Sequence, residues 1–295
     1  MPAAPPKAII FVANHGNDPT EVAVPWSELK AGGCAVTFAT EHGDIAAADP
    51  VTVQQTLFAC VLGATSTATS TYRDMLASAE FNNPLSWSDE GFDILGYDIV
   101  ILPGGHDKPI RQYLESKTLH RQLGRFLPYT QRSSSTTTTG AANTDTDTNN
   151  TNDHNDSSTT TTTQPQKKVL GAICHGVLPL AFAKCPGSRE REGNTLLGEY
   201  RLQTTTLPKW MEATAWVASQ AWLMGSYYRT YIERGAWTCG DVEQAGGILI
   251  NGPMSTKPFV HIDPNHRYIS ARFPGDAVLW AQTILKEARE ALGEW

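Results

Sequence analysis

The sequence has no long apolar run, no dense cluster of basic residues and no closely paired cysteines. Each absence excludes something. The first apolar run, Ala8 to Ala13, is too short for a signal peptide or a membrane span, and Pro2, Pro5 and Pro6 precede it. Neither a secretory leader nor a membrane partner is therefore expected. Lys and Arg number 23 against 30 Asp and Glu, a net charge of -7 with no basic patch, so a nucleic-acid footprint is lacking. The five cysteines, Cys34, Cys60, Cys174, Cys185 and Cys239, are odd in number and form no C-x-x-C pair. That favours free thiols in a reducing compartment, and a cytoplasmic location is expected. The sequons at Asn149 and Asn155 are then chance matches. His15, His42, His106, His261 and His266 show no ligand spacing, so no metal site and no cofactor are expected.

What is present is a core: 40% of the residues are apolar and 9% aromatic. Ala8 to Ala13 reads as a buried strand, Glu21 to Gly33 as a helix ended by a glycine pair, and Cys34 to Thr40 as a second strand. Strand, helix, strand over this short length is a βαβ unit, which predicts an α/β fold: a mostly parallel sheet sandwiched by helices. Asp98 to Leu102 reads as another buried strand, and Val169 to Ile173 as a short apolar one. A helix is expected over Thr71 to Glu80 and an amphipathic one over Lys108 to Arg125. The segment from Glu212 to Tyr231 reads as helical in part. Late strands are expected at Ala245 to Asn251 and Arg267 to Arg272, and a closing helix from Asp276 to Leu292. The aromatic stretch from Trp216 to Tyr231 suits either the pocket or a homodimer contact, and the sequence does not choose between them.

Ser133 to Gln166 is almost entirely Thr, Ser, Asn and Asp. Such a stretch buries too little apolar surface to offset its ordering entropy, so disorder is expected. At about 34 residues it far exceeds an ordinary connection. It sits between a helix and a strand, as an insertion within one domain spanning 1–295 rather than a boundary between two.

The chemistry concentrates in Ala172-Ile173-Cys174-His175-Gly176, where a buried strand gives way to a Leu- and Ala-rich segment. A nucleophile elbow has this form. A following helix N-terminus and His175 would both favour the thiolate, so Cys174 is expected to ionise more easily than a free cysteine. The His175 backbone N–H would offer one oxyanion donor. Pro103-Gly104-Gly105-His106 ends another parallel strand, and ligands bind beyond the carboxyl ends of such strands. Its glycines allow close backbone approach and a second N–H, and His106 would line the pocket. Glu21, at the start of the first helix, lies on the same edge. It is either a favourable partner of the helix dipole or an acid/base group for Cys174.

Glu21 with Pro25, Ile101 to His106, Ala172 to Gly176 and Tyr268 to Asp276 together resemble the ThiJ/PfpI superfamily, and Leu197 to Tyr231 resembles its larger microbial and fungal branch. The resemblance implies a flavodoxin-like, class I glutamine amidotransferase-like fold. It also implies Cys174 as nucleophile, His175 as its neighbour and Glu21 as the buried acid that contacts the thiol. Activities found in the family include cofactor-free glyoxalase (methylglyoxal to lactate), deglycase and peptidase chemistry, and chaperone or redox-sensing roles in stress response. The function expected is that of a cysteine enzyme acting on a small reactive carbonyl. A non-enzymatic chaperone or cysteine redox sensor is the alternative. One departure stands out. Where the glyoxalase/chaperone branch places an acid after the cysteine, this chain has Gln203-Thr204-Thr205-Thr206, with Glu199 and Glu212 the nearest acids. His261-Ile262-Asp263 reads as a strand leading into a turn rather than a glutaminase His-x-Glu pair.

Overall fold

The computed structural model describes residues 4–53, 66–132, 167–185, 194–221 and 229–295. Its frame is a seven-stranded sheet. In chain order the strands are β1 (Lys7–Phe11), β2 (Ala35–Thr40), β3 (Leu85–Ser86), β4 (Ile99–Leu102), β5 (Val169–Ile173), β6 (Val260–Ile262) and β7 (Tyr268–Ala271). Across the sheet they lie in the order β6-β7-β5-β4-β1-β2-β3. Every pairing is parallel except that of β6 with β7. The α/β class with a mostly parallel sheet is therefore the fold of this chain.

Why the strands read as unbroken apolar runs is plain from their burial: β1 after Lys7, β4, β5 and β7 are buried throughout. Successive side chains serve opposite layers. Ile9, Phe11, Val100, Leu102, Leu170, Ala172 and Tyr268 join one core. Ala8, Ile10, Ile99, Ile101, Val169, Ile173, Ile269 and Ala271 join the other. On the second face pack α1 (Pro19–Ala31), α2 (Ser66–Leu76) and, after four helices of the other regions, the closing helix Ala277–Leu292. Trp26, Leu29, Met75, Trp280 and Ile284 are their buried anchors. The first face is covered by α3 (Lys117–Phe126), the short α4 (Leu178–Phe182) and α6 (Thr238–Gln244), through Leu119, Leu123, Leu180 and Val242. Between α4 and α6 in sequence lies α5 (Lys209–Ala221). The closing helix is α7.

Several expectations need correction. Lys108 to Arg125 is not one helix. A 3-10 turn (Lys108–Ile110) and one helical turn (Arg111–Leu114) precede α3. Ser116 makes the break: extended at φ -63 and ψ 109, its hydroxyl accepts the Leu119 N–H and caps the new helix. The helix expected over Thr71 to Glu80 runs as α2 to Leu76, and Ser78 then caps a separate turn, Ala79–Asn82. Of Ala245 to Asn251 only Ile248–Leu249 is strand, and it pairs with Gln203–Thr204 in a ladder apart from the main sheet. Gly246, at φ +79, turns the chain there. The Ser133 to Gln166 segment lies outside the described residues. The strands on either side of it, β4 and β5, are neighbours in the sheet.

Candidate active site

Two crossovers bring the site residues to the carboxyl edge of the sheet. Glu21 stands in the first turn of α1. Asp18 caps that helix by accepting the Thr20 and Glu21 N–H groups at 2.8 and 3.1 Å, and Pro19 occupies its first position. Cys174 follows β5 at φ +56, one of two non-glycine residues with positive φ among those described. A left-handed β-carbon-bearing residue costs about 1–3 kcal/mol, held in place by surrounding packing. Part of that hold is Thr206, whose hydroxyl donates to the Cys174 carbonyl at 2.8 Å. The Gln203 to Thr206 stretch, which carries no acid, thus braces the elbow. Gly176 is required for the same corner, since a Cβ there would lie 2.0 Å from the Leu102 carbonyl oxygen.

Glu21, Cys174 and His175 are each 0% exposed. Sγ of Cys174 lies 3.5 Å from Nδ1 of His175. Oε2 of Glu21 accepts the Gly104 N–H at 2.8 Å, leaving Oε1 with no nitrogen or oxygen partner among the described residues. The carboxyl also meets the Cys174 thiol. Gly104 sits in the middle: a Cβ on it would lie 2.7 Å from the His175 amide nitrogen and 2.9 Å from Glu21 Oε2. Its N–H is thus spent on Glu21, and its carbonyl accepts from Asp18 N at 2.9 Å. Gly105 packs on Gly16, whose carbonyl would be 2.2 Å from an added Cβ. His106 stacks edge-on against His175 with ring centroids 5.1 Å apart.

The electrostatics overturn one expectation. Burial, then the Glu21 carboxyl, push the Cys174 thiol well above its ordinary pKa, although the His175 backbone amide favours the thiolate. The corner opens as a 3-10 turn (Cys174–Val177) rather than an α-helix N-terminus, so the dipole assistance is weak. Glu21 is itself raised far above the carboxylate range by burial and by Asp18, and Asp18 is raised to about 6 by burial. His175 is held well below 6.5 by burial and by His106, which burial lowers to about 4. Burial therefore favours the thiol, the protonated Glu21 carboxyl and neutral imidazoles over their charged forms.

The tautomer of His175 follows from its neighbours. Thr230 has one hydroxyl proton, which it gives to the His106 carbonyl at 2.9 Å. Toward His175 Nε2, at 3.4 Å, it is left as an acceptor. Nε2 therefore carries the proton, and the Nδ1 lone pair faces the thiol. Thr238, at the start of α6, also meets Nε2, at 3.1 Å. Neither threonine was singled out from sequence. No spacing pattern ties residues 55 and 63 positions downstream to a histidine.

Fold and corner define an α/β protein with a buried cysteine at the strand-to-helix elbow of a flavodoxin-like sheet. The chain belongs to the ThiJ/PfpI-like family, whose description is matched over residues 12–253. Among curated proteins it is 25% identical over 290 residues to an uncharacterised protein of Schizosaccharomyces pombe, covering 97% of this chain and 85% of that one. Among solved structures it is similar to glyoxalase III of Candida albicans, with a TM-score of 0.61 at 15% identity over 95% of this chain and 96% of that one. A ThiJ/PfpI domain protein of Brachyspira murdochii superposes at a TM-score of 0.51 and 11% identity, over 98% and 99% of the two chains. At these identities the solved structures speak for the fold alone. Among the described residues no helix is long and apolar enough to cross a membrane, and no group of three or more His, Cys, Asp or Glu could hold a metal ion.

Proposed function

We propose that this protein is a cofactor-free, cysteine-dependent enzyme acting on small reactive carbonyls, with conversion of methylglyoxal to lactate as its reaction. The observation that supports this reading is the convergence of thiol, neutral imidazole and protonated carboxyl on one point, with Sγ 3.5 Å from Nδ1 and Glu21 against the same thiol. Since Oε2 of Glu21 accepts an N–H, its acid proton belongs on Oε1, the oxygen with no other nitrogen or oxygen partner. Cys174 Sγ adds to the aldehyde carbon as its proton passes to His175 Nδ1. Glu21 protonates the carbonyl oxygen, giving a hemithioacetal. The Glu21 carboxylate then takes the hydrogen from that carbon while imidazolium protonates the ketone oxygen, forming an enediol. Glu21 returns its proton to the second carbon, His175 takes the hydroxyl proton of the first, and a thioester of lactate results. Water cleaves the thioester, its hydroxyl going to the acyl carbon and its proton to the Glu21 carboxylate, while the sulfur regains its proton from the His175 imidazolium. Aldehyde is oxidised and ketone reduced within one molecule, so no external oxidant is needed.

An oxidation sensor requires a thiolate open to peroxide. Burial and the Glu21 carboxyl push the Cys174 thiol pKa up, which disfavours the standing thiolate that such a role needs. Methylglyoxal turnover by wild type and Cys174→Ala tests the proposal. Loss of lactate formation in the variant is expected, and a wild-type protein without turnover would sink it. Oxidation of Cys174 ahead of the other thiols under mild peroxide would favour the sensor instead.

A further inference from the structure

The acid missing from Gln203 to Thr206 has a substitute in space. We infer that Thr238 and Glu212 together form a two-residue relay that positions His175, with the hydroxyl of Thr238 transmitting the influence of the Glu212 carboxyl to Nε2. The inference rests on the reading of Cys174 and His175 as nucleophile and base. Both relay residues are positioning residues, because neither touches the thiol.

The geometry is continuous. From Sγ to Nδ1 is 3.5 Å, and from Nε2 to Thr238 Oγ1 is 3.1 Å. Glu212 Oε2 accepts the Thr238 N–H at 3.0 Å, and the same carboxyl meets the Thr238 hydroxyl. With Nε2–H donating to Oγ1, the hydroxyl has its own proton free for Glu212, so every donor in the chain has an acceptor. Glu212 and Thr238 are each 3% exposed, on two different helices, α5 and α6. An acid that served only to cap α6 would need the backbone N–H alone. Here the hydroxyl of the same residue also reaches the His175 ring, at 3.1 Å.

Glu212 also titrates where it matters. Burial raises it to about 7, against the lowering contacts with Thr238 and the nearby Arg229 and with Asp241 adding to the rise. Arg229 is held over the Trp237 ring, 4.2 Å from its centroid, and Asp241 is paired with Arg234 at 3.1 Å. Cys239 and, more distantly, Cys174 also feel the Glu212 charge. As Glu212 loses its proton, its carboxylate pulls on the Thr238 hydroxyl and makes Oγ1 a better acceptor. The imidazolium formed when the thiol proton reaches Nδ1 is then stabilised. The base should strengthen from pH 6 to pH 8.

Nitrogen-15 spectroscopy of histidine-labelled full-length protein tests this without any substrate, with His175 assigned by comparison with His175→Gln. Wild type is expected to show Nε2 protonated and Nδ1 free, with an inflection of the His175 signals near pH 7. Thr238→Val should shift the population toward the Nδ1–H form, Glu212→Gln should remove the inflection, and Thr238→Ser should restore both. Where Thr238→Val fails to fold, Glu212→Gln decides, since its amide oxygen still accepts the Thr238 N–H. A wild-type Nδ1–H tautomer, or signals unchanged in both variants, would overturn the relay. In turnover, kcat in Thr238→Val should fall about 10- to 100-fold with KM little changed. A tautomer shift in a protein that turns over no methylglyoxal would refute the proposed reaction while leaving the relay standing.

Discussion

Two buried polar clusters flank the carboxyl end of this sheet, and they are built on opposite principles. At the start of α7, Arg272 and Asp276 are both 0% exposed and paired through Nε and Oδ2 at 2.8 Å. All five guanidinium N–H groups are used: two on Asp276, the rest on the carbonyls of Pro253, Ser255 and Lys257. Asp276 accepts backbone N–H groups from Phe259 and Arg272 as well. Charge is cancelled and nothing is left over. Around Cys174 a carboxyl lies beside a carboxyl and an imidazole beside an imidazole, and burial disfavours the charged form of each. One carboxyl oxygen has no nitrogen or oxygen partner. A saturated ion pair holds structure; a set of neutral, mutually opposed groups with capacity to spare is suited to moving protons.

Substitutions sharpen the contrast. Asp276→Ala leaves Arg272 buried and unpaired, and should destabilise by about 3–5 kcal/mol in urea unfolding. Glu21→Gln keeps the acceptor for the Gly104 N–H, so stability should change by less than about 1 kcal/mol. Turnover of methylglyoxal should fall by about 100-fold or more, because the amide cannot supply or take the proton. Equal stability losses in these two variants would break the comparison. Gly104→Ala forces a Cβ against the His175 amide and Glu21, and should cost about 1–3 kcal/mol in stability together with activity.

The pH dependence follows from Glu212, near 7 in the fold against an ordinary 4.5. A folded pKa above the unfolded one means the native state holds the proton more tightly. That contribution is full below about pH 4.5 and is lost as pH rises through about 7. Asp49, raised to about 7, acts in the same direction. The drop in stability between about pH 5 and about pH 8 should therefore be smaller in Glu212→Gln than in wild type, by on the order of 1–3 kcal/mol. An identical slope in both proteins would remove Glu212 from the account. The smallest effect is expected from replacing 133–166 with a short Gly-Ser bridge, which should move the melting midpoint by no more than about 2–4 °C.

The strands, the first helix and its end, and the cysteine corner were readable because each is written locally. Fully apolar runs specify buried parallel strands, and Gly32-Gly33 stops α1, with Gly33 at φ +86. The break at Ser116 was hidden, because Ile110 to Phe126 keeps apolar residues near helical spacing on both sides of it. Ser116 also receives the Trp87 indole N–H at 3.1 Å, a contact no local pattern records.

Local sequence thus dictates the α/β sheet, and the arrival of Glu21, Gly104 and Cys174 at one edge of it. Parallel strands place every strand-to-helix turn at the same end, so residues at those turns converge whatever lies between them. The state of those residues is set by packing instead. Complete burial reversed the expected ease of ionisation of Cys174. Threonines from distant segments fixed the His175 tautomer, and Glu212 came within reach of it through Thr238. Protonation depends on desolvation and on charges gathered from the whole chain, and neither quantity is a property of any one stretch of it.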